Sequence, residues 1–247
     1  MGNPSIGYLL DKLAGLDDYS ALFTIAFPDA GLNMETLGAA LAAYERTLSS
    51  GNSAFDRATF GNDPTALTNS ARRGRALFRG KARCVSCHTI NPSFALFTDQ
   101  ALHNTGIGYA RSMGAEHASN ISVGPGATLA LKPEAKFGLS EPAVNDLGRY
   151  EITQDPADRW KYRTPSLRNV ALTAPYMHDG SFSTLRAVVE FYNDGGIANE
   201  GLDPLIKPLQ LPHREIDDLV AFLRSLTGDN IEALARDASS QAIGDRH

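Results

Sequence analysis

Residues 84 to 88 read Cys84-Val85-Ser86-Cys87-His88, and the only two cysteines of the chain lie in this stretch. Two thiols so close fit three chemistries: a redox dithiol, half of a zinc site, or an attachment point for covalent haem. A thioredoxin-type dithiol lies between a strand and a helix of a βαβ unit. Here the motif follows a helical stretch, Asn69 to Arg79, and leads into a loop. A structural zinc site needs a second Cys or His pair at close spacing, and His103, His117, His178, His213 and His247 show no such pairing. Haem attachment needs only what is present. Two thiols add across two vinyl groups, one turn of chain spans them, and the adjacent His88 becomes the fifth iron ligand. One covalent c-type haem is therefore the expected cofactor, with the sixth ligand still to be found.

Working outward, the pattern is helical almost throughout. Ile6 to Leu16 and Tyr19 to Phe27 read as short helices. Asn33 can cap a longer one whose Met34, Leu37, Leu41, Tyr44 and Leu48 recur at three and four, which predicts one buried face. Gly51 ends it. A short helix over Ser53 to Phe60 is followed by Gly61-Asn62-Asp63-Pro64, a boundary signal. Thr68 or Asn69 then starts the helix that delivers the cysteine motif. From Asn91 to Pro165 the periodicity weakens, predicting loops with short helical or hairpin pieces around a core that the cofactor helps to fill. Thr184 to Tyr192 is helical, with Leu185, Val188, Val189 and Tyr192 on one side. Pro212 to Leu226 is the last strong helix, and the tail after Asp229 is expected to fray.

Composition sets outer limits. The 247 residues, 43% hydrophobic and 21% charged, allow one large domain or two small ones. A net charge of −5 argues against a nucleic-acid partner, and no apolar run approaches the roughly 20 residues of a membrane span. Met1-Gly2-Asn3-Pro4-Ser5 carries no basic or apolar export signal. For the sixth ligand, Met113, Met177, His178, Tyr192, His103 and His117 are the candidates. Met177 is the soft donor usual in electron carriers. Tyr192 points inward from its helix, as a core tyrosine also would. Residue chemistry alone leaves these two open.

The run Arg163-Thr164-Pro165-Ser166-Leu167-Arg168-Asn169-Val170-Ala171-Leu172-Thr173-Ala174-Pro175-Tyr176-Met177-His178-Asp179-Gly180 resembles the C-terminal signature of the bacterial di-haem cytochrome c peroxidase and MauG family. Leu41-Ala42-Ala43-Tyr44-Glu45-Arg46-Thr47-Leu48, the attachment motif, His103-Asn104-Thr105-Gly106, and Thr184-Leu185 to Gly196 follow in the family's order. The resemblance implies a mostly α, cytochrome c-like haem domain with long irregular loops, preceded by a helical segment left from a first domain. It divides the chain into 1–66, 67–228 and 229–247. It implies Tyr192 as sixth ligand, because that position is Tyr in MauG-like members and Met in the peroxidases, whereas the Met177 position is commonly Phe. It also implies a calcium held partly by the backbone oxygens of Thr173 and Pro175, and Arg168 near a haem propionate.

Departures from the family shape the expected function. The first attachment motif, its peroxide-reactive haem and the Trp between the haems have no counterpart in this sequence, so the resemblance implies the second haem domain of a di-haem protein whose N-terminal haem domain is a missing partner. Its role would be to relay or share oxidising equivalents as part of an oxidoreductase of the peroxidase type. Ala82 replaces the Trp that MauG presents to its protein substrate, which leaves the partner as a small redox protein or some other protein substrate, with a homodimer also expected. Covalent haem attachment of this kind occurs outside the bacterial cytoplasm, which implies a periplasmic protein whose export segment is not in this sequence. The rival readings are a stand-alone mono-haem electron carrier using Met177 and a zinc-stabilised structural domain.

Overall fold

The computed structural model describes residues 3–113, 120–124, 127–130 and 146–240, and the chain divides into two compact units, Met1–Asn52 with Gly228–His247, and Ser53–Thr227. In the first unit Ser5 caps α1 (Ile6–Ala14) by accepting the Tyr8 N–H, and α2 (Asp17–Ala26) places Asp17 and Asp18 in its first turn. Asn33 and Thr36 cap α3 (Met34–Thr47) reciprocally, each side chain taking the other's backbone N–H. The burial expected of α3 does not follow. Met34 is 63% exposed and Leu41 56%, and Tyr44 and Leu48 are exposed as well. Three-and-four spacing sets which side of a helix is apolar; whether anything covers that side is a tertiary matter, and of these positions only Leu37 is partly buried.

In the second unit Ser53 and Asp56 form another capping box at the start of α4 (Ala54–Thr59), and Thr68 caps α5 (Asn69–Arg79). A 3₁₀ turn over Cys84–Ser86 leads into the irregular stretch, which holds β1 (Leu102–His103), α6 (Ile107–Ser112), the hairpin β2 (Asn120–Gly124) with β3 (Ala127–Ala130), and α7 (Tyr150–Thr153). Then β4 (Tyr162–Arg163) pairs antiparallel with β1, placing Leu102 opposite Arg163 and His103 opposite Tyr162. The remaining helices are α8 (Leu185–Asn193), capped by Thr184, α9 (His213–Arg224), and α10 (Ile231–Ser240). The last belongs to the first unit and makes residues 231–240 of the tail helical, with Asn230 donating to the Ser49 carbonyl at 2.9 Å.

The division in space therefore differs from 1–66, 67–228 and 229–247. Residues 53–66 join the haem-motif unit because Phe55 on α4 is fully buried in its core, edge-on to Phe97 at 5.0 Å and to Phe222 at 5.8 Å. Phe78 of α5 completes this group of rings, 5.0 Å from Phe222. Each buried phenyl ring contributes about 1.5–3 kcal/mol of transfer energy, with edge-to-face geometry adding a little more. Around them pack Leu185, Val189, Ile216, Leu219 and Leu226.

Helices α5 and α9 cross where one residue has no side chain. A Cβ built on Gly74 would stand 1.9 Å from the Asp218 carbonyl oxygen and 2.8 Å from the Phe222 Cβ. Asp218 itself is buried, with its carboxylate held by Arg73 at 2.7 Å through two N–H groups and by the Ser70 hydroxyl. Gly74→Ala is accordingly expected to force the helices apart and cost about 1–3 kcal/mol, the usual range for overpacking. Thermal unfolding checks this; a melting temperature equal to that of the parent chain would show that the crossing tolerates a methyl group.

Candidate haem site

The attachment turn is built by local hydrogen bonds. The His88 N–H donates to the Cys84 carbonyl at 2.9 Å and the Cys87 N–H to the same oxygen at 3.3 Å, so that residues 84–88 close into one turn. Arg83, with φ +50°, takes the left-handed conformation that lets the chain leave α5 and enter this turn. No disulfide joins the two cysteines. Burial pushes Cys84 up to about 12 and Cys87 up to about 11, the latter with help from the charges of Asp99 and Asp203. A redox dithiol needs at least one thiol lowered well below its ordinary value, so the electrostatics oppose that reading.

His88 is oriented by its second nitrogen. Its Nδ1 lies 2.8 Å from the Phe97 carbonyl oxygen, which can only accept, so Nδ1 carries the proton and Nε2 keeps its lone pair for a metal. Burial lowers the His88 pKa, the backbone contact opposes this only in part, and the ring stays neutral as a ligand must. Phe78 lies against it, with ring centroids 6.5 Å apart. The signature run comes to the same place: Leu167, Val170, Ala171 and Tyr176 pack on the core that Cys84 and Val85 also touch.

Tyr192 sits near the C-terminal end of α8, next to the buried Phe191. Burial raises its phenol above the ordinary value, and charge on Cys84 and then on Cys87 raises it further. Met177, the other donor considered, is partly buried with φ +69° in the loop before α8. Thr173 and Pro175 are exposed on that loop, and their carbonyls accept none of the backbone hydrogen bonds among the described residues.

The Arg168 guanidinium makes a two-pronged pair with Asp56 at 2.6 and 2.9 Å and donates Nε–H to the Ala95 carbonyl at 2.8 Å, over the face of Phe97. Burial acts to raise Asp56, but the hydrogen bonds from Arg168 and Ser53 outweigh it and hold the carboxyl below its ordinary value. Three of five N–H donors are thus spent on tying α4 to the loop beneath the attachment turn.

Sequence spacing did not reveal the role of His103. Its Nδ1 is 2.6 Å from Asp203 and its Nε2 2.9 Å from Asp99, with Nδ1 also 4.0 Å from the Cys87 sulfur. Although Cys87, Asp99 and His103 come close enough to hold a metal, two carboxylates facing both ring nitrogens favour the imidazolium. Burial works against that charge, and the two carboxylate hydrogen bonds overcome it and raise the pKa. The cluster places these charged groups beside the attachment turn. Asp99 was within reach of a spacing argument at i, i+4 in sequence; Asp203, a hundred residues on, was not.

Compared with known proteins, a family model described as di-haem cytochrome c peroxidase matches residues 1–64. A cytochrome-c peroxidase of Pseudomonas sp. strain SCT is 37% identical over 232 residues, 92% of this chain and 58% of that protein. The methylamine utilization protein MauG of Methylorubrum extorquens is 34% identical over 230 residues, 92% of this chain and 54% of that one. Among solved structures, a MauG-like protein associated with microbial copper homeostasis superposes with TM-score 0.65 at 31% identity, covering 91% of this chain and 63% of that one. The diheme peroxidase BthA from Burkholderia thailandensis gives TM-score 0.63 at 25% identity, with 93% and 60% covered. The chain spans a little over half the length of these relatives.

Proposed function

The chain belongs to the di-haem cytochrome c peroxidase and MauG family, and from this we propose that it carries one covalent haem on Cys84 and Cys87, held between His88 and Tyr192, and relays or shares oxidising equivalents with a second, peroxide-reactive haem outside this sequence. The observation that carries the reading is the pinned imidazole: Nδ1–H of His88 on the Phe97 carbonyl, inside a turn that presents two partly buried cysteine sulfurs.

A haem bound there supplies reversible one-electron chemistry at iron. The protein's own residues do the rest. The Phe97 carbonyl holds the tautomer of His88, and the Phe78 ring lies beside that imidazole. Tyr192 resists ionisation in its buried setting. His88 and Tyr192 would hold the iron of a bound haem, and the positive charge of the metal would favour the ionised form of Tyr192. A tyrosinate is a hard anionic donor and favours the oxidised metal. The fixed charges of His103, Asp99 and Asp203 lie on the Cys87 side.

The apolar faces left open on the first unit support a partner that is itself part of the family's architecture, namely the N-terminal haem domain. Met34, Leu41 and Tyr44 on α3, and Ile25 at 78% exposure on α2, are surfaces that a helical domain would bury. Beyond it, the reading takes a small redox protein or a protein substrate as the outer partner, a homodimer as the assembly, and a calcium on the carbonyls of Thr173 and Pro175. Maturation in the periplasm follows from the attachment chemistry. No described helix is long and apolar enough to cross a membrane.

The test is peroxide turnover by the haem-loaded chain alone. Slow turnover that rises when the N-terminal haem domain of a relative is supplied is the expected result. Fast turnover by this chain unaided would refute the relay role, since the peroxide would then be reacting at the haem on Cys84 and Cys87.

A further inference from the structure

A second group of residues gathers around one carboxylate, that of Asp146. The Tyr162 hydroxyl donates to Oδ1 of Asp146, and His178 Nε2 lies 2.7 Å from the other carboxylate oxygen. The Tyr162 and His178 rings stack, centroids 3.7 Å apart and planes within 13°. Arg111 stands 3.8 Å from the same carboxylate. Two glycines make room for the tyrosine. A Cβ on Gly108 would fall 2.6 Å from its hydroxyl oxygen, and one on Gly148, where φ is +62°, 3.1 Å from its Cζ. The phenol is thus confined on both sides, with a carboxylate at its oxygen.

Its position matters as much as its surroundings. Tyr162 is the cross-strand partner of His103 in the β1–β4 ladder, and His103 lies 4.0 Å from the Cys87 sulfur. Directly opposed residues of an antiparallel pair project on the same side. At its other edge the group meets solvent through the exposed His178. Tyr162 is thus the strand partner of a side chain beside the attachment turn, and its ring is stacked on one that reaches the surface.

We propose that Tyr162 is a redox-active tyrosine that receives an oxidising equivalent from the haem side, with Asp146 as the base for its phenolic proton and the stacked His178 facing the external electron donor. In the step, Tyr162 gives one electron to a one-electron oxidant, its O–H bond breaks, and the proton passes to Asp146, which becomes a carboxylic acid. The product is a neutral phenoxyl radical, and an electron from an outside donor with return of the proton restores both groups. Burial, and then the Asp146 hydrogen bond, raise the Tyr162 phenol above its ordinary value, so electron loss proceeds with proton loss. The inference rests on the haem reading above for the natural source of the oxidising equivalent.

The test supplies that oxidant independently. The full, haem-matured chain is flash-oxidised with photogenerated tris-bipyridine ruthenium(III) and freeze-quenched for electron paramagnetic resonance. A tyrosyl radical is expected, with most of the signal lost in Tyr162→Phe; the chain has 8 tyrosines, so an undiminished signal in that variant overturns the assignment. Asp146→Asn keeps a hydrogen-bond acceptor but offers no base, and is expected to slow radical formation and change its solvent isotope effect. No change in either would remove Asp146 from the step. Should the phenylalanine variant not fold, fluorotyrosine placed at position 162 marks the radical by its fluorine hyperfine splitting, and absence of that splitting overturns the proposal. A colourless chain that still forms the radical defeats only the haem reading, whereas a haem-loaded chain with no radical at Tyr162 defeats only this inference.

Discussion

The Cys84→Ala/Cys87→Ala double variant, passed through a periplasmic haem-maturation system, is expected to emerge without covalent haem. The parent chain should give a haemochrome spectrum with pyridine and a mass increased by one haem. Each single variant should retain at most one thioether, with a haemochrome band shifted accordingly. The physical basis is that both sulfurs sit on one closed turn beside His88, so attachment and axial ligation are one geometric event. Removing both anchors leaves only the axial contacts of His88 and Tyr192 to hold the cofactor. Circular dichroism separates lost attachment from lost folding, and the Phe55, Phe78, Phe97 and Phe222 core should keep the helices in place. Covalent haem in the double variant, or a colourless parent chain holding another metal, would end the haem reading.

Tyr192→Phe carries the second large effect. The ferric parent is expected to be six-coordinate, with a tyrosinate-to-iron charge-transfer band. The variant should lose that band, move toward a high-spin spectrum and reduce with milder reagents. Axial ligands move haem potentials over roughly 0.8 V, so exchanging an anionic donor for a vacant or water-filled position should raise the midpoint on the order of 100 mV. The change removes one hydroxyl from a buried ring and leaves its packing beside Phe191 in place. This choice also separates the two readings of the sixth ligand. An electron carrier ligated by Met177 would be indifferent to Tyr192→Phe, and its ferric spectrum would persist unchanged. In that protein Met177→Leu would produce the spectral shift instead.

The chain's order of side chains was enough to set the cofactor class and most of the helices. Cysteines confined to one five-residue motif, with an imidazole attached, leave few chemistries, and the helices starting at Asn33, Thr68 and Thr184 announce themselves through caps and spacing that act over three or four residues. These are local interactions, and local order determines them. Three-dimensional packing decided what depended on distant partners. Asp203 reaches His103 across a hundred residues, Asp56 takes the guanidinium of Arg168, and the apolar side of α3 stays open because a helical period says nothing about a neighbour. The Tyr162–His178 stack on Asp146 belongs to the same class: no spacing rule joins positions 146, 162 and 178, and only the fold brings them to one carboxylate.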